Sequence, residues 1–345
     1  MKLSIPTFVC DQLRPVPPVE TADLSGRTVM VVGANGGLGL EAAKHFARMT
    51  PGRLILACRN QAKGKAAMDS IEQATGFAKS ELWSIDLSSF STIVEFAEKF
   101  NKDGGRLDIL VMNAGIFVMK YEATADGYES QLHVNHLGTT LLSLLLLPTL
   151  LKTGTESSIP ARLVVVSSDM HYWTSISKKE QASPNILATM NSKEHCTSSV
   201  MSHRYQDTKL LNIFFARALT ARLPLSAPVV VTNANPGFCK SDLRHGMPFP
   251  QSAVAGLAEK AIAFKTEEGS RQLVYGAIGG GENLNELRGA FVSAGCVKEV
   301  SDFVLSPEGG AVENRIWTET IDILAGVAPQ VREIVDRDLS TGVIS

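Results

Sequence analysis

From Thr28 onward, short β-rich runs alternate with stretches whose apolar residues recur at helical spacing, and this rhythm narrows the possible folds more than any other feature. The candidate strands are TVMVVG (28–33), RLILAC (53–58), ELWSI (81–85), LDILVM (107–112), ARLVVVS (161–167) and VVVTNAN (229–235), with GAFVS (289–293) as a seventh. Helical stretches such as LEAAKHFARM, AKGKAAMDSIEQATG and TIVEFAEKF lie between them. Strands separated in this way pair in parallel, and right-handed crossovers wind the helices onto both faces. The expected fold class is α/β: a doubly wound parallel sheet of about seven strands, with its ligand crevice at their carboxyl ends.

At 345 residues, 44% hydrophobic and 20% charged, the chain has the balance of a soluble globular protein with a sizeable core. No internal repeat or low-complexity linker divides it, so residues 26–345 read as one domain preceded by an extension over 1–25. The extension has one early lysine, no sustained apolar segment and a cluster of prolines, and reads as surface-packed or disordered. The most apolar run, Leu141 to Leu151, falls short of the about 20 residues a bilayer needs and is broken by Pro148, which makes it a buried helix at a core or subunit seam.

A net charge of −2 with mixed signs throughout argues against nucleic-acid and membrane partners. The five cysteines (Cys10, Cys58, Cys196, Cys239, Cys296) are scattered and lack a Cys-x-x-Cys spacing, which argues against a disulfide framework or a zinc site and for a reducing, cytoplasmic setting. His133, His136, His171, His195, His203 and His245 have no carboxylate at metal-ligand spacing, so no metal site is expected.

Two regions break the rhythm. Residues 169–204 are rich in Ser, Lys and His with few apolar anchors, far longer than the usual connection, and read as a functional lid or a disordered loop. A second irregular stretch, roughly 240–265, opens with SDLRHGMPFP and begins a substrate-side region over 240–345. Both would emerge where the crevice lies.

GANGGLG, Gly33 to Gly39, follows the first strand directly and opens a helix, the context a dinucleotide-binding loop requires. Gly33 permits the tight turn, Gly37 lets backbone approach a diphosphate, and Gly39 allows close packing of the helix that aims its N-terminus at the phosphates, with Leu38 between them. Where an acidic residue at the end of the second strand would bind ribose hydroxyls and repel a 2′-phosphate, this chain has Arg59. A guanidinium there favours NADP(H) over NAD(H), through charge-assisted bonds of roughly 1.5–3 kcal/mol each. Asn35, Lys63 and Lys65 are candidate assistants, though a solvated surface role suits the lysines equally. Asp86 is placed to accept from the adenine amino group while Leu87 covers the ring; the competing reading is a helix N-cap by Asp86 or Ser88. Asn113-Ala114-Gly115 ends the fourth strand, where small residues let a cofactor lie flat against backbone.

Downstream lies YQDTK, Tyr205 to Lys209, after a strand ending in Ser167-Ser168. Tyr and Lys four residues apart share one helical face. An ammonium so placed draws a phenol from its free pKa of about 10 toward neutrality and suits it to carbonyl and alcohol chemistry.

With Gly33, Gly37, Gly39, Asn113-Ala114-Gly115, Ser168, Tyr205 and Lys209 in this order, residues from about 26 to 245 closely resemble the short-chain dehydrogenase/reductase family, whose fold is of the Rossmann type. Within it the pattern is similar to the retinol-dehydrogenase-like branch, mirrored by GANGGLG, ACRN, TADGYE, HVNHLG and TEEGSRQLVYGAI. The resemblance implies an active site of Asn135, Ser168, Tyr205 and Lys209. Tyr205 would exchange the proton with the substrate oxygen, Ser168 would hydrogen-bond that oxygen, Lys209 would hold the nicotinamide ribose, and Asn135 would anchor a relay water. Family alignment favours Ser168 over its neighbour Ser167. NPGFCKSDL (235–243) resembles the segment in which backbone at Pro236, Gly237 and Phe238 meets the carboxamide and a hydroxyl, here Ser241, binds the diphosphate side. Two departures are Ser241 and Val32, each standing where the family commonly has threonine. His171, Tyr172 and Trp173 could line the substrate cavity or serve ordinary loop packing.

The expected activity is hydride transfer between NADP(H) and a carbonyl/alcohol pair on a bulky, largely apolar small molecule, in specialised or lipid-like metabolism. Rival readings are reduction of an activated C=C bond and a catalytically idle NADP(H)-binding sensor. The resemblance implies a homodimer seam on the helices carrying Leu141–Leu151 and Tyr205–Leu219, unless the long lid and the C-terminal extension cover that surface and leave a monomer.

Overall fold

The computed structural model describes residues 3–241, 243 and 251–339; most of the SDLRHGMPFP stretch, His245 included, lies outside them. Eight strands form one sheet: β1 (Thr28–Val32), β2 (Arg53–Cys58), β3 (Ser80–Ser84), β4 (Ile109–Met112), β5 (Ala161–Val166), β6 (Val229–Asn235), β7 (Phe291–Ser293) and β8 (Cys296–Lys298). Their spatial order is β3-β2-β1-β4-β5-β6-β7-β8, with all pairings parallel except β7 with β8. The chain order reverses between β1 and β4, the switch point at whose carboxyl ends a sheet of this kind binds its ligand. The sheet therefore has one strand more than the seven expected, an antiparallel edge closed by a turn in which Ala294 and Gly295 both take positive φ.

Each strand serves two cores at once. Met30 and Val32 of β1 join one apolar cluster while Val29 and Val31 join the other, because successive side chains point to opposite faces. On the first face lie α4 (Phe90–Lys102), α5 (Thr139–Glu156) and, further along, α9 (Arg204–Arg222); on the second lie α2 (Gly37–Arg48), α3 (Gln61–Thr75) and α11 (Thr266–Ile278). The remaining helices are α1 (Ile5–Gln12), α6 (Lys178–Gln181), α7 (Ile186–Asn191), α8 (Ser198–Met201), α10 (Gln251–Ile262), α12 (Asp302–Leu305), α13 (Pro307–Val327) and α14 (Gln330–Asp338).

The apolar run does not stop at Pro148. Helix α5 continues through it to Glu156, since burial of Leu141 to Leu147 and Leu150 outweighs a local cost of about 3 kcal/mol. The 25-residue span Leu132–Glu156 is long and apolar enough to cross a membrane, yet 83% of its most apolar window is buried inside the fold.

Segment 169–204 is also different from the expected lid or loose loop. A 3₁₀ turn (Asp169–Trp173) and helices α6 to α8 make a folded layer, held by buried Ile176, Ile186, Leu187, Met190, Cys196 and Met201. It is pinned to α13: Glu319 accepts the Ile186 and Leu187 N–H groups at 3.0 and 2.8 Å, and Arg315 donates to the Gln181 carbonyl at 2.6 Å. The N-terminal extension, described from Leu3, is likewise packed on the carboxyl side of the sheet through α1.

Candidate active site

The glycine loop turns where β1 ends. Gly33 takes φ +83°, and a Cβ there would lie 2.8 Å from Ala114 Cα, so only glycine fits between β1 and the Asn113-Ala114-Gly115 segment. A Cβ on Gly39 would collide with the Gly33 carbonyl, which explains how the first turn of α2 nests against the loop. Asn113 closes the turn by donating Nδ2 to the Gly33 carbonyl at 3.0 Å, while the Ala114 N–H donates to the Val32 carbonyl at 2.9 Å. Helix α2 starts at Gly36 with no side-chain cap, and at Gly36 and Gly37 a Cβ would meet nothing within 4 Å. Uncapped amides facing open space at a helix N-terminus are the donors a diphosphate takes. Asn35 and Leu38 are half-buried beside them.

At the neighbouring strand ends, Arg59 follows β2 directly and is 70% exposed, paired at a long 3.9 Å with Asp86. Asp86 accepts from the Ser88 N–H (2.9 Å) and hydroxyl (2.6 Å) through Oδ1, so part of its carboxylate caps the turn after β3. Leu87 is buried against Gly138. Lys63 and Lys65 are exposed on α3.

Across the crevice, residues far apart in sequence converge. Leu132–Gly138 is a π-helical turn leading into α5, and it brings Asn135 inward. The Asn135 side chain pairs with both backbone groups of Ile116: Oδ1 accepts its N–H at 2.8 Å and Nδ2 donates to its carbonyl at 2.9 Å. Nδ2 also donates to Thr208 Oγ1 at 3.1 Å, and Thr208 donates to the Tyr205 carbonyl at 2.8 Å. A Cβ on Gly115 would lie 3.3 Å from Asn135 Oδ1 and 3.7 Å from Lys209 Nζ, so these three residues enclose one small space.

Lys209 is buried, and its Nζ donates to the Val166 carbonyl at 2.8 Å and lies 5.5 Å from the Tyr205 ring centre. Burial pushes its ammonium down to about 8. Ser167 and Ser168 part company here. Ser167 is buried and donates to the Lys209 carbonyl at 3.0 Å, whereas Ser168 is half-buried and accepts the Met170 N–H at 3.2 Å to start the 3₁₀ turn. Beside Tyr205, Phe117 stands edge-on at 5.6 Å within the half-exposed apolar run Ile116 to Met119.

The arrangement offers uncapped amides at a helix N-terminus, an exposed guanidinium at the end of β2, and an ammonium beside a phenol ring at the end of β5. The short chain dehydrogenase family signature matches residues 27–179. The short chain dehydrogenase/reductase dmxR8 of Cryptosporiopsis sp. is 33% identical over 327 residues, covering 94% of this chain and 98% of that protein. The short chain dehydrogenase sol3 of Alternaria solani is 37% identical over 265 residues, covering 76% of this chain and 88% of that protein. The chain belongs to the short-chain dehydrogenase/reductase family. A solved structure of an uncharacterized protein from Mycobacterium paratuberculosis is similar at 26% identity and TM-score 0.61, covering 89% of this chain and 98% of that one.

In this short-chain dehydrogenase the segment after β6 is built around Asn235, whose Oδ1 accepts the N–H groups of Gly237 (3.1 Å) and Asp169 (3.2 Å) and so ties the loop after β6 to the loop after β5. Pro236 is buried, Gly237 takes φ +74°, and Ser241 accepts the Leu243 N–H at 3.1 Å. Phe238 is held on both its backbone groups by Gln12 of α1. Sequence reasoning missed Asn235, Gln12 and Phe117; of these only Asn235, in the NPG run, had a local signal.

Of the two readings left open for His171, Tyr172 and Trp173, the bonds of their polar atoms favour packing. His171 is fully buried, its Nδ1 donating to the Ser168 carbonyl at 2.8 Å and its Nε2 accepting the Ser301 N–H at 3.3 Å, with burial pushing its pKa down to about 4. Tyr172 donates to the Glu299 carbonyl, and Trp173 donates to the Leu3 carbonyl at 2.9 Å. All three spend their polar groups on structure. Among the described residues no cluster of His, Cys, Asp and Glu could hold a metal.

Proposed function

We propose that this oxidoreductase transfers hydride between NADP(H) and a carbonyl/alcohol pair on a bulky, largely apolar small molecule, with Tyr205 as the general acid and base. The observation that carries the reading is the enclosure of one space by Gly115, Asn135 and Lys209 next to Tyr205. NADP(H) supplies or takes the hydride when bound.

The chain's own groups do the rest. Uncapped amides at the start of α2 bind the diphosphate, and Arg59 takes the 2′-phosphate that an acidic residue would repel. Tyr205 passes its proton to the substrate oxygen, and the Ser168 hydroxyl, its oxygen lone pair engaged by Met170, donates to the same oxygen. Lys209 spends one N–H on Val166 and keeps two for the ribose hydroxyls and for the relay. With its pKa near 8 it is still mostly charged at neutral pH, so it favours the phenolate. Asn135, fixed to Ile116 by two bonds, holds the π-turn whose backbone receives the relay water. Proton transfer of this kind is worth about 10²–10⁴-fold. The Ile116–Met119 run and Phe117 supply an apolar wall for the substrate.

The cofactor choice favours the reductive direction, the scattered free cysteines suit a cytoplasmic setting, and specialised metabolism is the context proposed for the substrate. The test is oxidation of NADPH and of NADH against bulky ketones, aldehydes and enones, with wild type and Tyr205→Phe in parallel. Turnover with NADPH that collapses in Tyr205→Phe supports the proposal. Saturated-ketone products from enones point to C=C reduction instead, and tight NADPH binding without turnover on any compound points to a sensor.

A further inference from the structure

The N-terminal extension reaches the crevice from outside the β/α frame. Three ties hold it there: Arg271 donates to the Pro17 carbonyl at 3.0 Å, Trp173 donates to the Leu3 carbonyl at 2.9 Å, and Phe8 packs edge-on to Trp173 at 5.3 Å. Between them stands Gln12, only 5% exposed. Its Nε2 donates to the Phe238 carbonyl at 2.9 Å and to the Ile262 carbonyl at 3.1 Å, while its Oε1 accepts the Phe238 N–H at 3.1 Å. One amide side chain thus stands in for a neighbouring strand residue. It is the device Asn135 uses on Ile116, repeated on the opposite wall of the crevice.

The grip falls one residue from Gly237. A Cβ on Gly237 would lie 2.9 Å from Gln12 Oε1 and 2.8 Å from the Phe264 ring, so Gln12 and Phe264 form the back of the Pro236-Gly237-Phe238 turn. The Phe264 N–H also donates to the Phe238 carbonyl at 2.9 Å. On the far side Asn235 holds the Gly237 N–H at 3.1 Å. The turn is clamped from both sides, and the outer half of the clamp comes from a helix that precedes the domain.

We propose that Gln12 is a positioning residue for the nicotinamide end of the cofactor: it fixes the Pro236–Phe238 backbone, which the family resemblance makes the seat of the carboxamide. The proposal deepens the cofactor reading above and rests on it. Removing the amide loosens this turn without touching the amides of α2 or Arg59, so the two ends of the cofactor respond differently.

The test is Gln12→Met, which fills the same space without the donors and acceptor. Affinity is measured by fluorescence titration for NADPH and for adenosine 2′,5′-bisphosphate, the cofactor fragment without the nicotinamide, alongside kcat, KM and Tm. The expected result is a ~10-fold weaker NADPH affinity, the scale of losing one to two net hydrogen bonds, with fragment affinity unchanged and kcat lowered. Gln12→Asn keeps an amide in the buried site but draws it back by one methylene, and gives the same selective loss where the methionine variant folds poorly. NADPH affinity and kcat unchanged in both variants would overturn the proposal, as would an equal loss for NADPH and fragment together with a fall in Tm. Wild type that binds neither compound overturns the cofactor reading itself and the positioning role with it.

Discussion

Lys209 donates its ammonium to the Val166 carbonyl at 2.8 Å, a bond that runs from the helix bearing Tyr205 to the last residue of β5. It places the cation at the carboxyl end of the sheet while burying it completely. Burial drags the group from 10.5 down to about 8. Between those values the unfolded chain binds more protons than the folded one, so the lysine makes stability rise with pH across that window and imposes its full penalty below about 8. Lys209→Met should therefore be more stable than wild type at pH 7, with the gap closing above pH 10.5. Its turnover should fall by about 10²–10⁴-fold. Urea denaturation at several pH values, read beside kcat, checks both halves; a less stable variant at neutral pH would show that the buried charge is compensated.

The proposed preference for NADP(H) rests on Arg59. Its 3.9 Å pairing with Asp86 and 70% exposure leave the guanidinium available to a phosphate at little cost. Arg59→Ala should raise KM for NADPH by roughly 10–100-fold, the worth of a charge-assisted bond, while KM for NADH changes little. Equal effects on both cofactors would place the arginine elsewhere than the 2′-phosphate.

The glycine loop, the Tyr205–Lys209 pair and the strands of the sheet were legible because their physics is local: a positive φ, one helical face, an apolar run bounded by turns. Gln12 was not, since its partners lie 226 and 250 residues away and no periodicity connects them. The folded layer over 169–204 was hidden for a related reason. Its six buried apolar residues are spaced irregularly, and α13, on which its helix α7 packs, begins only at Pro307. Strand β8 is three residues long with Cys296 and Val297 exposed, so no apolar pattern announces it. The aromatic trio was left open because His, Tyr and Trp suit a cavity and a wedge equally, and the bonds to Ser301, Glu299 and Leu3 lie with residues far along the chain.

Ser167 and Ser168, adjacent on the chain, should separate cleanly on mutation. Ser167→Ala loses a buried hydrogen bond to the Lys209 carbonyl, which keeps its place in the α9 ladder, at a cost of about 0.5–1.5 kcal/mol of stability. Its kcat should stay within a few-fold of wild type. Ser168→Ala gives up the 3₁₀ cap on Met170, about 0.5–2 kcal/mol, but loses about 10²-fold or more in kcat. Chemical denaturation and initial rates on the two variants decide the assignment, and a larger kcat loss in Ser167→Ala would reverse it.

The helices expected to form a dimer seam are already covered by the chain itself. Trp317 of α13 stacks on Phe215 of α9 at 6.3 Å with Arg222 over its ring at 4.7 Å, and Arg217 and Arg222 bond Glu313 and Asn314 at 3.0 and 2.8 Å. His136, in the turn that leads into α5, pairs with Thr320 at 3.1 Å. A second copy would have to displace α13 to reach this face. The protein should therefore sediment as a monomer across the micromolar range, and a chain ending before Pro307 should self-associate or precipitate as Phe215 and its apolar neighbours are exposed. Sedimentation velocity of both forms is the measurement. A full-length dimer that dissociates on mutation of α9 surface residues would show that the C-terminal helices leave room for the seam.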